Sequence, residues 1–108
     1  MSKPMKSKRI KRITRNDDGT VTCKLKFPVE MHNRTLSEIV LRTDCRVSDL
    51  EAMDAGTGDI DKTNRMIAEL SELKPGQAGI SVGTVRKLHA SDWMPIAKEI
   101  GKIIGGDD

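Results

Sequence analysis

Two cysteines and two histidines are the residues of this sequence that could bind a metal ion or act as nucleophiles. Cys23, His32, Cys45 and His89 suggest zinc, because thiolates and imidazoles are its usual ligands. Their spacing contains no Cys-x-x-Cys pair and no close pair of histidines, so the sequence predicts no metal site. Cys23 falls on the apolar side of a predicted strand, where a small buried thiol is common.

The segment from Asp54 to Asp61 (DAGTGDID) is acidic and contains two glycines, so a calcium site and a phosphate site are the two hypotheses to consider. It lacks the alternating ligands and the terminal glutamate of a calcium loop. Gly56-x-Gly58 follows a predicted helix rather than a strand, and no Gly-Lys-Ser/Thr comes after it, so the phosphate-loop pattern is incomplete. The motifs of serine hydrolases and zinc proteases are also missing. We therefore expect a protein that is not an enzyme and has no cofactor.

The elements that would position these residues follow from a change in hydrophobic period. Apolar and polar residues alternate over residues 20–27, which predicts a strand that Pro28 ends. A second strand is predicted over residues 36–42, so that the two form an antiparallel hairpin. Helical spacing then begins near residue 46 and predicts a short helix capped by Ser48, a helix over residues 59–73, a short segment after Ser81 and a final amphipathic helix capped by Ser91 or Asp92.

The predicted fold class is therefore α+β: an N-terminal antiparallel β-hairpin packed against three or four short helices, with a disordered basic N-terminal arm. The predicted boundaries are an arm of residues 1–19, one domain of residues 20–104 and a C-terminal tail of residues 105–108. Trp93 heads the apolar face of the last helix, so we expect it to be at least partly buried. Gly101 borders that face, which predicts close approach of another backbone.

Charge is distributed unevenly along the chain. Residues 1–15 contain seven of the 19 Lys and Arg residues and no acidic residue, whereas the rest of the chain is mildly acidic. This arm has too little apolar surface to offset its ordering entropy. It could bind nucleic acid or an acidic partner, or it could act as a solubilising tail or lie against the acidic body. The arm residues considered for binding are Lys6, Lys8, Arg9, Lys11, Arg12 and Arg15.

Composition limits the class of protein further. Apolar residues make up 36% of the chain and no apolar run is longer than three residues, which argues against a transmembrane helix and a secretory signal. Two cysteines in such a chain predict free thiols in a reducing compartment. We therefore expect a small intracellular protein with no membrane partner.

Several features occur in a particular order between residues 20 and 104. They are a hairpin that ends in Leu41-Arg42, a helix start at Val47-Ser48-Asp49-Leu50, a loop from Gly56 to Asp59, the run Met66-Ile67-Ala68-Glu69-Leu70-Ser71, and Val85-x-x-Leu88-His89-Ala90-Ser91-Asp92-Trp93 before an amphipathic helix. This order resembles the small tail assembly chaperones of Mu-like and related contractile-tailed bacteriophages and prophages. The basic arm lies outside the resemblance.

The resemblance implies a role in virion assembly. Such chaperones bind the long helical tape-measure protein and keep it soluble until the tail tube polymerises around it. It also implies a location in the host bacterial cytoplasm, absence from the mature virion, and a frameshifted longer form of the chain as a further partner; self-association is considered as well. The alternative is a small nucleic-acid-binding protein that uses the basic arm.

A chaperone for a helical client needs an apolar groove or face. The two longest predicted helices supply the candidate partner-binding residues. These are Met66, Ile67, Leu70, Leu73, Ile100, Ile103 and Ile104.

Overall fold

The computed structural model describes residues 12–31, 34–72 and 79–105 of the chain. Within these ranges an antiparallel sheet has the strand order β1-β2-β3-β4. Its strands are β1 (Ile13–Arg15), β2 (Thr20–Met31), β3 (Arg34–Arg42) and β4 (Ser71–Glu72). The helices are α1 (Val47–Asp54), α2 (Asp59–Leu70), α3 (Val82–Val85) and α4 (Ala90–Gly105). The predicted α+β class and the hairpin are confirmed, and the sheet has two further short strands.

The core lies between one face of the sheet and the helices. Alternation places Val21 and Cys23 of β2 on the inner face, opposite Leu41 and Ile39 of β3. The apolar stripe of α2 covers this face: Met66, Ile67 and Leu70 are fully buried. The hairpin therefore gains the cover that an isolated pair of strands needs in water.

The middle of β2 carries a wide irregularity. Lys24 pairs with Glu38 and Val29 with Leu36, so four residues of β2 lie opposite Ser37 alone. Pro28 lies in this segment, where its missing N–H leaves no gap in the ladder. The prediction that the strand ends at Pro28 is therefore wrong, and β2 continues to Met31.

Residues 12–19 contain a strand and a turn, whereas the sequence analysis predicted a disordered arm as far as residue 19. Ile13 pairs with Cys23 and Arg15 with Val21, which makes β1 an edge strand. A tight turn follows, in which Gly19 has φ +86°, a region that glycine enters without steric cost. The edge of β2 supplies backbone hydrogen bonds that composition alone does not register. Residues 1–11 lie outside the described residues.

The helix α2 ends at Leu70, before the predicted end at residue 73. Ser71 and Glu72 leave the helix and pair with Leu41 and Val40 of β3 as strand β4. Backbone pairing with an open sheet edge thus replaces the last helical turn. Leu73 lies outside the described residues.

The first helix is anchored by a carboxylate. The predicted cap at Ser48 is corrected: Arg46 precedes the helix, and its N–H donates to Asp49 Oδ2 at 2.9 Å. Arg42, at the end of β3, donates to both Asp49 oxygens at 3.2 and 3.0 Å. Its guanidinium lowers the pKa of Asp49 to about 2. This pair joins α1 to the end of the sheet.

None of the helices within the described ranges has the length and apolar character that a membrane crossing requires.

Gly101 lies in the middle of α4 and is exposed, and a Cβ built there meets no atom within 4 Å. The expected close approach of another backbone is therefore absent among the described residues. We predict that Gly101→Ala raises the free energy of unfolding by about 1 kcal/mol, because alanine has the higher helix propensity. Urea denaturation measures the change.

Gly79→Ala is the matched control of opposite sign. A Cβ at residue 79 would overlap the backbone of Ser71, so this variant should be less stable than the wild type. If both variants shift the midpoint in the same direction, the packing around one of the two glycines differs from the structure.

Candidate functional site

An open groove lies where the start of α2, the helix α3 and the start of α4 meet. Its volume is about 380 Å³, within the range of pockets that bind ligands. Ile60 is 66% exposed although its side chain is large and apolar, so the groove presents apolar surface that the fold itself does not bury. The lining residues are Ile60, Asn64, Val85, Arg86, Leu88, Ala90 and Trp93.

Trp93 forms one wall of the groove and is held from two sides. Its ring is half-buried and packs against the core, into which Ile96 and Ile100 continue the same helical stripe. Its indole Nε1 donates a hydrogen bond of 2.7 Å to Asn64 Oδ1 on α2. The prediction that Trp93 is at least partly buried is confirmed, and the hydrogen bond ties α4 to α2 at the groove.

Asp92 fixes the start of α4 to the irregular segment of β2. Its side chain is fully buried, and its two oxygens accept the backbone N–H groups of Lys26 and Phe27, each at 2.9 Å. The Arg12 guanidinium donates to the same carboxylate at 3.2 Å. These N–H groups belong to the part of β2 without one-to-one partners on β3. The carboxylate therefore supplies the acceptors that the ladder lacks there.

The cap of α4 is His89, and the predicted cap at Ser91 or Asp92 is corrected. The carbonyl of His89 accepts the N–H of Asp92 at 2.9 Å, and its ring Nδ1 accepts the N–H of Ser91 at 3.1 Å. The ring also stacks on Phe27, with 4.2 Å between ring centroids. The Asp92 carboxylate is occupied by β2, so the His89 imidazole accepts a free backbone N–H group at the helix start instead.

Beside the groove, one carboxylate accepts hydrogen bonds from two arginines, of which Arg86 lines the groove. Asp61 accepts hydrogen bonds from the backbone N–H of Thr57 at 3.0 Å, from Arg65 Nε at 3.2 Å and from Arg86 NH2 at 2.9 Å. These donors lower the pKa of Asp61 to about 2, so the carboxylate is ionised at neutral pH. Two guanidinium groups share this one carboxylate, and of the three residues Arg86 lines the groove.

Most of the predicted partner-binding residues are in the core. Met66, Ile67 and Leu70 are fully buried, and Ile100 is 3% exposed. The prediction that these four residues bind a partner is therefore corrected, because their side chains cover the inner face of the sheet. Ile103 is half-buried, Ile104 is 37% exposed, and Leu73 lies outside the described residues.

The two arm residues that the structure describes are paired with α4. Arg12 contacts Asp92, and Arg15 NH2 lies 3.1 Å from Oε1 of the buried Glu99. Of the alternatives left open by the sequence, these contacts agree with an arm whose base lies against the acidic body. Four of the predicted binding residues lie outside the described residues: Lys6, Lys8, Arg9 and Lys11.

The candidate metal ligands are not brought together. Cys23 is buried in the core and Cys45 is half-buried, both as free thiols. Burial, with a smaller contribution from Glu99, raises the pKa of Cys23 to about 12, which keeps it protonated. In the described parts of the chain no three His, Cys, Asp or Glu side chains lie together as a metal would require; His32 lies outside those parts.

None of the seven lining residues was among the predicted partner-binding residues, and two of them, Ile60 and Asn64, lie on α2. Both lie on the same helical face as Ile67, at i−7 and i−3, so the stripe of α2 extends further towards its start than predicted. A polar residue within that stripe was the available signal. What covers the stripe there could not be read from the sequence, because it depends on α3 and α4.

We predict that Trp93→Ala lowers the free energy of unfolding by about 3 kcal/mol, as truncation of a large packed side chain does. Trp93→Phe is the matched variant: it keeps a packed ring, loses the bond to Asn64, and should lower it by about 1 kcal/mol. Urea denaturation followed by circular dichroism measures both. An unchanged midpoint in Trp93→Ala would show that the ring does not contribute to packing.

A second prediction concerns Asp92→Asn. The amide offers one acceptor oxygen where two backbone N–H groups need acceptors, and it loses the charge that Arg12 faces. The expected loss of unfolding free energy is about 3 kcal/mol, typical of breaking a buried charged group's contacts. Asp59→Asn is the control: Asp59 is exposed in the first turn of α2, so it experiences a similar helix dipole and should change stability by less than about 0.5 kcal/mol. Equal effects of the two substitutions would contradict the role of Asp92.

No protein-family model, no curated protein and no solved structure matches this chain. What the groove can bind therefore follows from its own residues: apolar walls at Ile60 and Trp93, a fixed amide at Asn64 and a cationic rim at Arg86.

Proposed function

We propose that this protein is a tail assembly chaperone that binds an apolar helical segment of a phage tape-measure protein in the groove between α2, α3 and α4. The observation that carries the proposal is the open apolar groove beside the exposed Ile60. The order of features over residues 20–104, from the Leu41-Arg42 strand end to Trp93, supports the choice of client. The role places the protein in the host bacterial cytoplasm and not in the mature virion.

The groove suits an amphipathic helix. Five of its seven lining residues are aliphatic or aromatic. The helices α2 and α4 on either side are fixed relative to the sheet by the Trp93–Asn64 hydrogen bond and the Asp92 contacts. A rigid apolar groove that receives a helix face is a recurring mode of peptide recognition. Binding buries Ile60 and the client's apolar side chains together, and this loss of exposed apolar surface provides the affinity.

The lining of the groove favours binding over chemistry. Its polar members among the described residues are Asn64 and Arg86, and neither is a nucleophile or a general base at neutral pH. A non-enzymatic role fits this composition.

The contacts of the arm favour the chaperone over the nucleic-acid-binding alternative. Arg12 and Arg15 are paired with Asp92 and Glu99, so phosphate binding by these two residues would have to break ion pairs with buried carboxylates.

We predict that Ile60→Asp reduces recovery of soluble tape-measure protein on co-expression at least about tenfold, because a charged carboxylate would replace the apolar side chain that the client buries. Val47→Asp is the matched control: Val47 is 75% exposed, begins α1 and lies outside the groove. Aspartate in the first turn is favourable for either helix, so both variants should fold. The measurement is the amount of soluble client co-purified with each variant.

Two further arms of the same experiment distinguish the mechanisms. Binding by the groove should persist at high salt, whereas binding to phosphates falls steeply with salt. Deletion of residues 1–11 should leave client recovery unchanged. Loss of recovery with salt or with the arm would refute the groove mechanism, and retention of nucleic acid alone would refute the chaperone role.

A further inference from the structure

Asn64 is a largely buried polar side chain whose NH2 group makes no hydrogen bond to the described residues. It is 5% exposed and lines the groove. The orientation of its amide is fixed, because the Trp93 indole N–H is only a donor and must face the oxygen Oδ1. The NH2 group on Nδ2 then has no acceptor among residues 12–31, 34–72 and 79–105.

An unused donor in this position favours a ligand with a matching acceptor. The open groove lets water reach Nδ2 in the free protein, and once a ligand excludes that water, a donor left without a partner costs about 1–3 kcal/mol. An apolar ligand would seal this donor from water without satisfying it, whereas a ligand that carries an oxygen acceptor would gain a hydrogen bond. Among apolar segments, the groove therefore favours one that places an oxygen acceptor next to Asn64 Nδ2.

The rim adds a preference for negative charge. Arg86 lines the groove and its side chain is 59% exposed, although one of its nitrogens contacts Asp61. That carboxylate is also engaged by Arg65, so it does not fully neutralise Arg86. The donor Nδ2 and the cationic rim therefore select the same kind of group: an oxygen with partial negative charge.

We infer that the groove binds the C-terminal turn of an amphipathic helix of a second polypeptide, with a free carbonyl oxygen of that turn accepting the Asn64 amide. Carbonyl groups in the middle of a helix already accept intrahelical hydrogen bonds, whereas the last four do not. The same turn carries the negative end of the helix dipole, which complements Arg86. An apolar side chain of the last turn fills the space between Ile60 and Trp93. This inference rests on the proposed function and specifies which part of the client is bound.

Two synthetic peptides test the inference. Both are stapled helices of about 16 residues, amidated and of identical composition; one carries a Leu-Ile pair in its last turn and the other in its middle turn. Trp93 is the single tryptophan of the chain, so its fluorescence reports occupancy of the groove. Wild-type protein should bind the last-turn peptide about tenfold more tightly, the equivalent of one hydrogen bond.

Asn64→Asp removes the donor and keeps the oxygen that accepts the Trp93 bond. This variant should lose the preference for the last-turn peptide. A second measurement uses wild-type protein alone: the side-chain amide proton resonances of Asn64 should shift with the last-turn peptide and stay in place with the middle-turn peptide. It does not depend on how well the variant folds.

Equal affinity of the two peptides for wild-type protein, or Asn64 resonances that do not respond, would overturn the inference. Co-expression separates this result from the proposed function. If Ile60→Asp abolishes client recovery while the two peptides bind alike, the groove holds a client but does not select helix ends. If the last-turn peptide is preferred but no tape-measure protein is recovered, the specificity stands and the proposed client is wrong.

Discussion

The placement of α4 depends on one buried carboxylate. Asp92 accepts two backbone N–H groups from β2 and one guanidinium hydrogen bond from Arg12, so it joins the first turn of α4, the middle of the sheet and the base of the arm. The irregularity in β2 is the reason that an acceptor is required: four residues of β2 lie opposite a single residue of β3, so some of their N–H groups have no acceptor in the ladder. Burying a carboxylate is favourable only with such a full set of donors, and the positive end of the helix dipole adds to it.

Carboxylates have the same role at the starts of α1 and α2. Asp49 joins α1 to the end of β3 through Arg42, and Asp61 joins α2 to Arg86 after α3. This chain has one tryptophan, one phenylalanine and no tyrosine, so few aromatic contacts are available to determine how its helices lie. Ion pairs and charged hydrogen bonds are directional, and here they fix positions that a small aliphatic core leaves open.

The groove is a consequence of these anchors. Asp92 determines where α4 begins, the next residue is Trp93, and its indole N–H then fixes the Asn64 amide on α2. Ile60 is left exposed at the edge because the core is already covered by the middle and end of the α2 stripe. The residues that hold the fold and the residues available to a partner are therefore different parts of the same helix: Met66, Ile67 and Leu70 are committed to the sheet, and Ile60 and Asn64 face the groove.

The sequence by itself determined the elements of this protein. Alternation over residues 20–27 specified a strand, helical spacing specified α2 and α4, and the burial of Trp93 followed from its place at the head of an apolar stripe, because these patterns reflect which face of an element avoids water. Tertiary structure decided the remainder. The strands β1 and β4 form because an open sheet edge offers hydrogen bonds, Asp92 bonds across 65 residues to Phe27 rather than to its own helix, and the apolar residues of α2 divide between core and groove according to what packs over them. Apart from β1, whose partners on β2 are only 6 to 10 residues away in the chain, these outcomes depend on groups far apart in the chain, which local periodicity does not encode.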